Sequence, residues 1–188
     1  MRTARIASAL LMGVAILAYS GWLLEFFLPT GVSPVHDPAE ALLTGPPVFR
    51  VLLAVSGVAF VLAGPPLHRL GPVHWSARLS SISVSAFGVL VLLQAAYPER
   101  SDLLSSLLNV VLVGGVISLI MWWPPGWRAL AVAGLAVVLA TWLAVVLARQ
   151  LGTYEGVFTR VQLVVRAALY GVGGAYAFVK PAPRHVHR

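Results

Sequence analysis

Apolar residues gather in six long runs, at positions 6–28, 48–67, 79–97, 103–123, 129–148 and 161–179, each bounded by proline, glycine or charge. Each run is about 20 residues long, enough for a helix to cross a hydrocarbon core of about 30 Å. Backbone groups cannot stay unpaired in lipid, and the strict alternation of barrel strands is absent, so the runs predict helices. The expected fold is all-α: a polytopic membrane protein built as a six-transmembrane-helix bundle, one membrane domain over 1–188. Residues 29–47 form a loop with a short helix, and 180–188 form a basic cytoplasmic tail.

Composition strengthens this reading. Hydrophobic side chains make up 59% of the chain and charged ones 10%, against about half and a quarter in soluble domains. With no cysteine, disulfides, thiolate metal sites and cysteine nucleophiles are excluded. The net charge of +7 is scattered in ones and twos at the ends of the runs, which is a topology signal and not a phosphate-binding stripe, so nucleic acid is not an expected partner.

Those cations orient the bundle. With the N-terminus inside, Arg2, Arg5, Arg69, Arg78, Arg128, Lys180, Arg184 and Arg188 are cytoplasmic, while Arg50, Arg100, Arg149 and Arg160 are outside. The excess places both termini in the cytoplasm of a cell-membrane protein. Trp75, Trp122, Trp123 and Trp127 then fall at the inner interface. The start, Met1-Arg2-Thr3-Ala4-Arg5 and an apolar run, also has the form of a secretory signal, with Ala18-Tyr19-Ser20 as a cleavage site. The run continues through Leu28, which favours a retained helix. Prolines recur where even-numbered helices meet the cytoplasm, at Pro65-Pro66, Pro124-Pro125 and Pro181, and are expected to stop those helices.

In this topology Glu25, Asp37, Glu40, Glu99, Asp102 and Glu155, all six acids, lie on the outer side. The positive-inside rule does not require that of acids. Arg166 lies about 9 Å inside the sixth helix, and Gln162, Arg166, Tyr170 and Gly173 share one face of it, a polar stripe expected to face the bundle. Glu25, at matching depth on the first helix, either caps the apolar run at the interface or, if the first and sixth helices are adjacent, pairs with Arg166. In the first loop, Asp37-Pro38-Ala39-Glu40 has the form of an N-cap and capping box, with Gly45 as terminator; the leucines of this helix lie on the membrane or close the bundle. Ser76, Ser80, Ser83 and Gln94 on the third helix, and Ser105, Asn109, Gly114 and Ser118 on the fourth, read as close-packing faces. The fifth helix reads as peripheral.

Metal and cofactor chemistry is not expected. The five histidines sit in loops and tail, without an acid or second histidine at ligand spacing within a helix. Phosphate loops, dinucleotide fingerprints, serine elbows and pore-lining charged rings are absent.

Gly31-x-Ser33-Pro34-x-x-Asp37, Tyr97-Pro98-Glu99-Arg100-Ser101-Asp102 and Gly156-x-x-x-Arg160 together resemble the prokaryotic membrane family called domain of unknown function 998. After the aspartate this chain has Pro38-Ala39-Glu40 in place of the family's Ser-Glu-Leu. The resemblance implies a six-helix fold and no reaction. The function expected is a non-enzymatic accessory subunit, binding membrane lipids, a small ligand or a membrane-protein partner. Its candidate ligand-binding residues are Glu25, Asp37, Arg50, Arg160, Gln162, Arg166 and Tyr170, with arginines holding an anionic group and acids orienting them. The rivals are an outer-leaflet enzyme using Glu25 or Asp37 as acid or base, and a transporter.

Overall fold

The computed structural model describes residues 2–179, so the basic tail 180–188 lies outside the described residues. Six helices are long and apolar enough to cross a membrane: α1 (Arg2–Tyr19), α2 (Pro47–Leu70), α3 (Trp75–Ala96), α4 (Ser101–Trp122), α5 (Pro125–Leu151) and α6 (Glu155–Val179). Among the described residues there is no strand. The chain thus has the architecture of a multi-pass membrane protein. Each helix packs on its neighbours in sequence, and α6 returns to α1, closing the ring. α5 is the least buried of the six, as its near-continuous apolar sequence predicts.

Small residues set the tightest helix contact. A Cβ on Gly57 of α2 would lie 2.9 Å from the carbonyl oxygen of Gly88, and one on Gly88 would lie 2.7 Å from that of Gly57; close backbone approach here requires glycine on both helices. Around this seam Phe60, Phe87, Tyr19 and Tyr170 stack at 4.6–6.3 Å between ring centres.

The prolines correct one expectation. Pro65 and Pro66 lie within α2, which continues to Leu70. Proline cannot donate to the carbonyl four residues back, which for Pro65 is that of Val61. The Ser85 hydroxyl of α3 donates to that oxygen instead, at 3.3 Å, and Gly64 leaves room for Ser85 to approach. A neighbouring serine therefore satisfies the freed backbone group, and the helix does not end.

α1 passes directly into a 3-10 helix, Ser20–Phe26, and the 27–46 connection carries a second one, Ala39–Thr44. We call this end of the bundle the loop end. Leu42 and Leu43 turn inward onto Phe49 in a small core with Trp22 and Leu53, so the loop closes the bundle and does not lie flat on lipid.

Candidate functional site

Glu25 and Arg160 meet at the loop end. Both are almost fully buried, at 7% and 6% exposure, and the guanidinium grips the carboxylate with both arms, Nε to Oε1 at 2.6 Å and Nη2 to Oε2 at 2.5 Å. Nη1 of Arg160 donates to the Asp37 and Gly156 carbonyls, each at 2.9 Å. The fork geometry of arginine makes this possible.

The loop is pinned to the start of α6 at two more points. The Ala39 amide donates to Thr159 Oγ1 at 3.0 Å, and a Cβ on Gly156 would collide with the Pro34 and Asp37 carbonyls, each at 2.6 Å. Asp37 does not cap the following segment, whose N-cap residue is Pro38 with no side-chain bond. Its Oδ2 instead accepts from the Ser33 amide at 2.7 Å. The segment is a short 3-10 helix of about two turns, which lacks the α-helical first turn that a capping box needs.

Arg166 does not pair with Glu25 and has other partners. At 1% exposure, its guanidinium donates to Asn109 Oδ1 at 3.1 and 2.8 Å, to the carbonyl and hydroxyl of Ser105 at 3.1 Å each, to Gln162 Oε1 at 2.9 Å and to the Tyr19 hydroxyl at 3.3 Å. These are neutral acceptors drawn from α1, α4 and α6. The polar face of α6 does turn inward, since Gln162, Arg166 and Tyr170 are all buried.

Tyr170 lies deeper, in the aromatic seam. Arg50 stands apart from both arginines: its Nε donates to the Ala95 carbonyl at 3.1 Å, where a cation complements the C-terminus of α3.

Beside the Arg166 shell, among α4, α5, α6 and the loop, is a polar cavity of about 170 Å³. Ser105, Asn109 and Gln162 form its inner wall, and Glu40, Asp102 and Arg149 line it toward the loop end. Arg149 bridges Asp102 at 3.1 Å and Glu155 at 2.7 Å. Two buried polar atoms among the residues lining this cavity have no partner: Gln162 Nε2 and Glu40 Oε2. Gln162 is 4% exposed; because its oxygen faces Arg166, which can only donate, its nitrogen is the end left over.

Sequence reasoning singled out Gln162 but assigned Glu40 to capping and left Arg149 and Asp102 out. The available signal was the recurrence of charge at the loop-end termini of α4, α5 and α6. Among the described residues no group of three His, Cys, Asp or Glu is close enough to hold a metal.

No protein-family model, curated protein or solved structure matches the chain.

Proposed function

We propose that this protein is a non-enzymatic membrane subunit that binds a zwitterionic group in the cavity among α4, α5 and α6, on the outer side of the cell membrane. The observation that carries the reading is the buried Gln162 amide nitrogen, left without an acceptor on that cavity. A buried donor without a partner forfeits its hydration, and a phosphate or carboxylate oxygen restores the bond. Glu40 Oε2 suits an ammonium. Glu40, Asp102 and Glu155 stand against Arg149 on the wall and Arg166 behind it, three carboxylates to two guanidiniums, so a ligand that brings an ammonium and has no net negative charge fits best. The chemistry is that of an ethanolamine phosphate: as the diester at the head of a lipid it has no net charge, whereas the free monoester carries about one negative charge more. Glu25, Asp37 and Arg160 hold the loop over this region and do not face the ligand.

The enzyme reading is weaker because both oxygens of Glu25 are engaged by Arg160, which leaves that carboxylate poorly placed to move a proton. Transport is disfavoured because the way inward meets the Arg166 shell and then apolar side chains such as Leu112, Val116 and Leu169. The orientation rests on the positive-inside count, with both termini cytoplasmic. Kinship with domain of unknown function 998 is part of the proposal: Asp37, Gly156 and Arg160, which carry the resemblance, form one contact.

Native mass spectrometry with added phosphatidylethanolamine, phosphatidylglycerol and free phosphoethanolamine tests this, using wild type and Glu40→Gln. Phosphatidylethanolamine should bind at one more per chain than phosphatidylglycerol, and that additional copy should bind about tenfold more weakly in the variant, the loss expected for a charge-assisted bond. Binding of phosphoethanolamine alone would make the ligand soluble. Retention of the two lipids in equal number, unchanged by Glu40→Gln and with no phosphoethanolamine bound, would overturn the reading.

A further inference from the structure

A second and larger cavity, about 350 Å³, lies in the half of the bundle away from the loop end. All six helices contribute to its wall, through residues such as Met12, Leu67, Val84, Leu119, Leu130 and Val165. Packed interiors hold few voids larger than a water molecule, and even an engineered apolar cavity of about 150 Å³ stays dry and takes up small apolar molecules. This one is more than twice that size and half-open, with Leu130 and Val137 of its wall 53% and 46% exposed, and it lies in the range of about 300–1,000 Å³ typical of ligand sites.

Two features suggest what fills it. Trp123 lines the cavity, is 2% exposed, and its indole Nε1–H is buried without an acceptor. Indole nitrogen can only donate, so the occupant carries an acceptor at that level. Trp123 stacks with Trp122, Trp127 and Tyr176 at 4.7–6.3 Å, an aromatic group of the kind found where hydrocarbon meets headgroups. In addition, a Cβ built on Gly173, another lining residue, meets nothing within 4 Å; the wall is open there and not merely loosely packed.

We propose that this cavity holds one acyl chain of a membrane phospholipid, with the ester carbonyl accepting from Trp123 Nε1. An acyl chain is the occupant of choice because it is apolar along its length, has a single acceptor at one end, and reaches that acceptor at the level of the aromatic group. Arg5 lines the same end of the cavity, where the lipid phosphate follows the ester. The site is separate from the polar cavity and stands whether or not a zwitterion binds there.

The test compares a diester phosphatidylglycerol with its diether analogue, which lacks the carbonyl, by native mass spectrometry and by the melting temperature of the detergent-solubilised protein. Wild type should retain one diester lipid per chain and bind the diether about threefold to tenfold more weakly, the range of one hydrogen bond. Trp123→Phe should weaken the diester by the same factor and leave the diether unchanged. Gly173→Phe, whose ring enters the void, should abolish retention of both and melt at least as high as lipid-free wild type. Equal binding of diester and diether by wild type overturns the carbonyl contact. Undiminished retention by a folded Gly173→Phe overturns the site, and if that variant does not fold, undiminished binding of the diester by Trp123→Phe does so.

Discussion

Arg160 and Arg166 stand on the same helix, almost equally buried, yet they hold their charge in opposite ways. Arg160 is neutralised by a bidentate carboxylate from the 3-10 helix that continues α1. Arg166 is surrounded by amide, hydroxyl and carbonyl oxygens of α1, α4 and α6. The first arrangement cancels charge and fastens a loop; the second leaves a positive charge inside and ties three helices to it. Guanidinium cannot shed its proton, so the second depends on every acceptor being in place. That shell is also the wall of the polar cavity, and the Gln162 amide, its oxygen drawn toward Arg166, presents its nitrogen outward with its dipole reinforced. The paired arginine builds structure, and the unpaired one gives an adjacent cavity its character.

The comparison can be broken most severely at the ion pair. Glu25→Ala strands Arg160 without its counter-charge and should cost about 3–5 kcal/mol in unfolding from mixed micelles. Replacing both partners by leucine should cost markedly less, since no buried charge then remains. Coupling measured by double-mutant cycle should reach about 1–3 kcal/mol for Glu25 with Arg160 and stay within about 0.5 kcal/mol for Glu25 with Arg166; the reverse order would contradict the pairing seen here.

At the neutral shell, Arg166→Lys keeps the charge but cannot span acceptors on three helices. It should cost about 2–3 kcal/mol, and Asn109→Ala about 1–3 kcal/mol, in the same assay. Thr159→Val removes the acceptor for the Ala39 amide together with the hydroxyl's own bond to the Gly156 carbonyl. About 1 kcal/mol should be lost, visible chiefly as faster hydrogen exchange over 33–44, while exchange in α2 and α3 is unchanged. Smallest and opposite in sign is Gly173→Ala, which adds a methyl in open space and should stabilise α6 by about 0.5–1 kcal/mol.

The six spans were legible because lipid demands long apolar runs with internally satisfied backbones, a demand written residue by residue. Helix ends were less so: Pro65 reads as a stop, and only the hydroxyl of Ser85, contributed by another helix, lets α2 run on. At the candidate site, sequence gave the depth of Glu25, Arg160 and Arg166 but not their rotation about the helix axis. Two residues six apart on α6 point about 120° away from each other, so a carboxylate at compatible depth meets whichever one the packing of α1 turns toward it. Glu40 shows the same limit, since its place after Asp37-Pro38 suggests a cap and only the fold of the loop over α6 brings it to the cavity.

By itself, then, the sequence determined an all-helical bundle with six membrane-length spans, and a polar face on α6 that must point inward, because both follow from the cost of polar groups in hydrocarbon. Which acid meets which arginine, which polar atoms are left unpartnered, and where two cavities open were decided by tertiary structure, because these depend on the relative rotation of helices far apart in the chain.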